Sequence, residues 1–552
     1  MIAGVPDDAE SLAVGALGWL MRAARDTGDG VGWPDTPADR QVKPRLYDGS
    51  SGVLPTLLDA WRYFDDDRYA DMALRGARSV AGAVGDWEDS GLYSGVAGMA
   101  VALRGVHRVL GDAASGAAAD RALDVLRSRY DGSGWNDWFE LVVGNAGIAL
   151  AALECGDPDL ALLAVEHYAR TAEPTPAGVQ WQVQTGRVHR MLHLSHGTLG
   201  IVYALAAVGR ATDRPDLVDL ALAGTADVVS RNEAGPDGFL VPYSDPQQRH
   251  ERIERHNYGW CHGPAGDAQA FRLLAQVLPD DPTWPALADR CWRTVVDSGL
   301  PRRIRPGFWD NNGRCCGTAG VLALACDRQV ERGDGRDFAD LLVADLAARA
   351  TADAEGVRWS NVEHRDTPSD LAPATGWAMG NAGIIRELLR QARITTNRDP
   401  RYAVPFPDHP PTVPFGPHHE EEPVSYPRPL TPEEKLADAK KWLDLPRIVV
   451  ICGSTRFMTE MAEADLRETE AGRIVVKPGC DMKSPHELWS DPVKAEALKV
   501  RLDDLHRAKI RLADEVLVVG DYIGDSTRAE IAYARSLDKP VRFTHPEVDP
   551  GT

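Results

Sequence analysis

The chain has 552 residues, with 82 acidic against 61 basic side chains and a formal net charge of −21 at pH 7. That length predicts two or more domains. A charge of that sign argues against a protein that coats polymeric nucleic acid or an anionic membrane, but one local pocket still suffices for a small nucleotide. Eight cysteines are too few for a disulfide scaffold, the opening Met1-Ile2-Ala3-Gly4 has no basic signal region, and no run of 18 uncharged apolar residues occurs. A cytoplasmic protein with free thiols and no membrane span is expected.

From about residue 10 to 395, apolar residues recur at helical spacings of three and four. A Gly-x-x-Gly signature interrupts this pattern seven times, with first glycines at Gly49, Gly95, Gly144, Gly197, Gly263, Gly317 and Gly380. Successive copies are 46, 49, 53, 66, 54 and 63 residues apart, room for two helices and two loops each. Such units cannot bury their apolar faces alone and must stack. Seven hairpins can close into a ring whose inner helices start at the glycines, although an open solenoid satisfies the same period.

Three cysteines stand beside these glycines: Cys261 in Trp260-Cys261-His262-Gly263, and Cys315 and Cys316 before Gly317. Three soft thiolates without a fourth ligand suit a zinc ion that keeps one position open. Adjoining repeats would bring them together at one mouth of the ring. His196, just before Gly197, and Glu140, four residues before Gly144, point to the same place. Cys155, Cys291 and Cys326 lie in apolar helical stretches and read as core.

The seven Gly-x-x-Gly copies, His196-Gly197, Trp260-Cys261-His262-Gly263 and Cys315-Cys316-Gly317 together make residues 10–395 resemble the lanthionine synthetase C-like cyclases. The resemblance implies a seven-fold α/α toroid with Cys261, Cys315 and Cys316 on a catalytic Zn2+. It also implies addition of a cysteine thiol, or of glutathione in eukaryotic-type relatives, to dehydroalanine or dehydrobutyrine. His196 would then donate the α-carbon proton, with Glu140 either orienting it or taking the thiol proton. His262 and Arg255 are expected at the substrate. Three departures stand out. Cys-Cys-Gly replaces the commoner Cys-His-Gly, Glu140 replaces an aspartate, and Asn257 stands where an arginine is expected, with Arg255 two residues earlier. No dehydratase pattern precedes the ring, so a peptide substrate would need a separate dehydratase.

Residues 396–445 are proline-rich and predict an extended linker with a short helix from about Pro432 to Leu443. From 446 to 552 the pattern is β/α, which predicts a small parallel sheet of flavodoxin or Rossmann type with helices on both faces. Gly453-Ser454-Thr455-Arg456, Ala513-Asp514-Glu515-Val516 and Asp525-Ser526-Thr527-Arg528-Ala529-Glu530 resemble the nucleoside 2-deoxyribosyltransferases and related nucleotide N-glycosidases. That resemblance implies Glu530 as the nucleophile at a sugar carbon. Gly453, Ser454, Asp514, Gly524 and Ser526 would line a nucleoside or nucleotide site. Two other readings stay open. The ring could be a non-catalytic scaffold for a peptide, glutathione or partner, or the pair could sense a modified nucleotide.

Overall fold

A computed structural model describes residues 8–187, 189–247, 254–301, 311–362, 370–412, 436–437, 440, 443, 445–480 and 486–549. The chain divides into two compact units, Met1–Arg428 and Pro429–Thr552.

The first unit is helical. Helix α1 (Ala9–Ala23) is followed by six hairpins, each an inner helix and then an outer one. They are α2 (Ser50–Phe64) with α3 (Asp67–Ala83), α4 (Val96–Leu110) with α5 (Ala113–Arg129), and α6 (Asn145–Cys155) with α7 (Pro158–Thr171). The remaining three are α8 (Thr198–Ala211) with α9 (Pro215–Ser230), α10 (Pro264–Val277) with α11 (Thr283–Asp297), and α12 (Thr318–Arg332) with α13 (Asp337–Arg349). A last inner helix, α14 (Asn381–Thr395), follows. Each inner helix packs on the next, and α14 packs back on α2, so the seven close into a ring. The outer partner of α14 is α1, which staples the two ends of the unit together. This is the expected α/α toroid rather than an open solenoid.

Several outer helices start at aspartate caps. Asp66, Asp112 and Asp157 accept backbone N–H groups two or three residues ahead. The inner helices instead begin at glycine. The second glycine of each signature is fixed by close approach. A Cβ on Gly98, Gly147, Gly200 or Gly383 would lie 1.9–2.2 Å from the carbonyl oxygen of the residue six positions earlier. It would also press on the preceding repeat, as Gly147 does on Leu92 Cβ at 2.7 Å.

Each inner helix is preceded by a loop, and these loops hydrogen-bond around the ring. Tyr47 N–H donates to Tyr93 O (2.9 Å), Tyr93 to Val142 (2.9 Å), Ser195 to Cys261 (3.4 Å), Cys261 to Cys315 (3.3 Å), Cys315 to Ala378 (2.8 Å) and Ala378 to Tyr47 (2.9 Å). All seven residues stand two positions before their glycine. At Val142 the relay turns aside, because its N–H donates to Glu140 Oε2 instead (2.7 Å).

The structure corrects the expected start of the linker. Residues 398–412 pack against the inner helices rather than extending from the unit. Ala403 N–H bonds Asp59 (2.7 Å), Arg386 reaches Val404 O (2.6 Å), Tyr402 donates to Glu387 (2.6 Å), and His409 meets Asp327 (3.0 Å). Val404 and Phe406 are buried, and Phe406 packs on Trp377. Proline density signals an absence of helix, and here it serves a segment whose backbone is held by side chains. Arg272, Arg386, Arg390 and Arg393 are all nearly inaccessible and pair with Asp59 or Asp327. Such charges are tolerated only because each is paired. Residues 413–435, and with them the start of the expected Pro432–Leu443 helix, lie outside the described residues.

The second unit holds a four-stranded parallel sheet, β1 (Ile448–Cys452), β2 (Ile474–Val476), β3 (Glu515–Val518) and β4 (Val541–Phe543), in the order β2-β1-β3-β4. Its helices are α15 (Met458–Glu470), α16 (Pro492–Leu512) and α17 (Asp525–Ser536). Both faces of β1 are covered. Ile448, Val450 and Cys452 cluster with Ile510 of α16 and Ile531 of α17, whereas Val449 and Ile451 cluster with Met461 of α15. Helix α16 starts at Pro492, a residue suited to a first turn. Helix α17 starts at Asp525, with Gly524 as its cap.

Burial pushes the Asp408 carboxyl up to about 6, against the opposing pull of Arg314 and the Tyr93 hydroxyl. The folded chain therefore holds a proton that the unfolded chain releases near pH 4, and stability is lost as pH rises through 6. Asp408→Asn, which still accepts from Tyr93, is expected to raise the thermal midpoint at pH 7.5 and to leave it nearly unchanged at pH 4. An equal change at both pH values would refute this account of Asp408.

Candidate metal centre

The mouth of the ring gathers the residues singled out from the first unit's motifs. Cys261 and Cys315 occupy the same position of adjoining repeats, joined by the relay, and Cys316 follows. Their three sulfurs lie within 4.8 Å of one another. Cys261 Sγ and Cys316 Sγ are 2.9 Å apart, and Cys316 Sγ and Cys315 Sγ 3.4 Å. All are free thiols. Cys315 is held well below the ordinary thiol range by hydrogen bonds from Cys261 and Cys316, with help from the Tyr47 hydroxyl and the charge of His196. Cys261 is pushed up by the same thiol contacts and by burial. The three-thiol donor set fits a borderline ion such as zinc.

His196 stands beside the cluster. Its Nδ1 lies 3.1 Å from Glu140 Oε2. Glu140 is fully buried and accepts the N–H groups of Val142 (2.7 Å) and Val143 (2.8 Å). Burial lowers the affinity of His196 for its second proton, but the Glu140 carboxylate more than reverses this, and the net shift is upward. With Nδ1 committed to Glu140, Nε2 is the nitrogen left for chemistry. His262 stacks on His196 at 5.2 Å and 21°, and Tyr243 also packs on it at 4.1 Å. Burial among these rings keeps His262 neutral, well below its ordinary range.

Arg255 is placed differently from its expected role. Its guanidinium turns outward to Glu233 (Nε at 2.9 Å), and only its backbone carbonyl reaches inward, accepting Tyr243 N–H at 2.7 Å. Its contribution is to seat Tyr243, because an acidic neighbour on the surface captures the charge.

Four further residues escaped the sequence reading. Tyr47 donates to Cys315 Sγ (3.5 Å) and stands in the relay position of the first repeat. His193 bonds Asp267 (2.8 Å) in a fully buried pair and packs edge-on against His262 at 5.8 Å. Tyr243 is the fourth. His193 lies four residues before its glycine, as Glu140 does, so aligning the repeats would have exposed it. Tyr243 lies in a loop with no such register.

Beneath the mouth, Arg314 sits between Trp260 and Trp377, 6.0 and 5.6 Å from their ring centres, and pairs with Glu387 at 2.9 Å. It forms part of the floor, with Tyr93 and Phe406.

In the second unit, Gly453 and Ser454 follow β1, and Gly524 and Ser526 open α17. Gly453 has φ +151, and a Cβ there would lie 2.5 Å from Val519 O. Asp514 is elsewhere. It stands at the amino end of β3 and accepts Ile448 N–H (2.7 Å) and Lys440 Nζ (2.7 Å). This corrects its expected place at a ligand, since it anchors the end of the sheet opposite Gly453. Glu530 on α17 is half-buried, and burial pushes its carboxyl up to about 7.

Fold and site define the first unit as an α/α ring with a three-thiol cluster at the amino ends of its inner helices. The chain belongs to the lanthionine synthetase C-like protein family, whose model matches residues 40–252 and 244–341, together more than half of its length. Among solved structures it is similar to nisin cyclase, with 14% identity and a TM-score of 0.49 over 69% of this chain and 93% of that one. It is also similar to the unsaturated glucuronyl hydrolase of Streptococcus agalactiae, with 13% identity and a TM-score of 0.40 over 72% and 93% of the two chains. The GH76A alpha-1,6-mannanase of Salegentibacter sp. HEL1_6 shows 10% identity and a TM-score of 0.37 over 70% and 100%. No curated protein sequence matches the chain. Among the described residues no helix is long and apolar enough to cross a membrane.

Glu140→Gln removes the carboxylate that raises the His196 pKa and leaves one of the two backbone donors unsatisfied. The His196 titration midpoint, followed by NMR, is expected to fall, and the chain to lose about 1–3 kcal/mol of stability in urea. An unmoved midpoint would separate Glu140 from His196.

Proposed function

We propose that the first unit is a zinc-dependent enzyme that adds a thiol to a dehydrated serine or threonine residue and so forms a thioether. The meeting of Cys261, Cys315 and Cys316 within 4.8 Å carries this reading. These three residues would hold the ion, which supplies a fourth position where an incoming thiol ionises at neutral pH.

The chain's own residues account for the remaining steps. The new bond forms between the thiol sulfur and the β-carbon, and the displaced electron pair moves toward the carbonyl oxygen. His196, charged through its contact with Glu140, gives a proton to the α-carbon. The thiol proton later restores the imidazole, so protons balance over a turnover. Glu140 accepts from two backbone amides and His196, and therefore orients the ring rather than collecting the thiol proton. His262 and Tyr243 form an uncharged wall against which an apolar substrate segment fits. The substrate is a peptide already dehydrated by a separate dehydratase, with its own cysteine or a small thiol such as glutathione as nucleophile.

Cys261→Ala with Cys316→Ala is expected to remove one equivalent of zinc and to abolish thioether formation from a dehydroalanine peptide, measured by loss of free thiol. His196→Ala should keep the zinc and slow the reaction by about 100-fold or more. Unchanged zinc content in the double variant would refute the metal reading. Full zinc with no thiol loss by the wild-type chain would leave a binding scaffold instead.

A further inference from the structure

The second unit contains another cluster that the ring chemistry does not use. Cys452 ends β1 and turns its side chain toward α16 and α17, where it is fully buried. His506 of α16 and Glu530 of α17 meet it there. Cys452 Sγ and His506 Nε2 are 3.2 Å apart, and His506 Nε2 and Glu530 Oε2 3.8 Å. All three ligand atoms lie within 4.8 Å of one another. Glu530 Oε2 is buried and has no hydrogen-bond partner among the described residues.

We propose that Cys452, His506 and Glu530 form a second divalent metal site, of zinc type. One thiolate, one imidazole and one carboxylate are zinc ligands, and sulfur with nitrogen disfavours magnesium or calcium. Zinc bonds of about 2.3 Å to sulfur and about 2.0 Å to nitrogen put such a pair roughly 3.5 Å apart in a tetrahedral site, close to the spacing found. The thiol can turn to only one of its two neighbours, His506 Nε2 or the Glu530 carboxyl, so a hydrogen bond to the imidazole leaves the buried carboxylate oxygen poorly satisfied, a costly arrangement. A cation satisfies all three groups at once.

The location supports a working site rather than a staple. Cys452 lies at the carboxyl end of β1, and the strand order reverses between β1 and β3, where ligands of parallel sheets gather. Three protein ligands leave one position for water or a small anionic or carbonyl ligand. Glu530 is the partly open member of the set, so access is from its side. Coordination through Oε2 draws the carboxylate's charge toward the ion and so weakens Glu530 as the nucleophile implied by the motif resemblance. The inference does not depend on the reading of the ring.

The test titrates the full-length apoprotein with Co2+ and follows visible and near-ultraviolet absorption. Two equivalents are expected, one with three-thiolate and one with single-thiolate charge-transfer intensity. Cys452→Ser should remove the weaker band alone, and His506→Ala should take the same equivalent. In a Cys261→Ala, Cys315→Ala, Cys316→Ala background one equivalent should remain. Absence of the single-thiolate band from the wild-type chain overturns the proposal without recourse to any variant. Its persistence in Cys452→Ser does so too. Absence of only the three-thiolate band from the wild-type chain would count against the ring and leave this site standing.

Discussion

The first unit depends on a circular relay of backbone hydrogen bonds that runs through the residue two positions before each first glycine. A loop residue normally spends its amide on its own turn. Here six of the seven amides instead reach the next repeat, and so the loops of consecutive hairpins are fixed side by side. Cys261 and Cys315 belong to this relay through their backbones, and their sulfurs are therefore delivered by main-chain geometry. The one amide that leaves the relay, that of Val142, is taken by Glu140. The same break that interrupts the circle thus seats the carboxylate that orients His196.

A closed ring of helices has an interior to fill, and this chain fills part of it with its own sequence. Residues 398–412 are held by arginines and aspartates that project from the inner helices, and Phe406 reaches the aromatic floor formed by Tyr93 and Trp377. Arg314, next to Cys315 in the sequence, closes that floor between two tryptophans. The thiol cluster is backed by packed protein, which limits water and strengthens each electrostatic contact there.

The two units place sulfur and imidazole by different means. In the ring, the Cys261 and Cys315 thiols come from equivalent positions of adjoining repeats. In the α/β unit Cys452, His506 and Glu530 come from one strand and two helices that share only a face of the sheet. Cys452, His506 and Glu530 are widely separated in sequence and meet because α16 and α17 cover the same side of β1.

The amino-acid sequence by itself determined the seven repeats, the inner-helix starts and the alternation of the second unit, because each is written in local periodicity and in glycines that tolerate no side chain. The addresses of Cys261, Cys315, Cys316, His196 and Glu140 were legible for the same reason, since a repeat turns sequence position into spatial position. Where no repeat operates, that translation fails. Tyr243, the outward turn of Arg255, the anchoring of Asp514 and the docking of 398–412 on the inner helices were decided by tertiary structure alone. Each depends on which partner lies across a gap of many residues, and no local pattern records that choice.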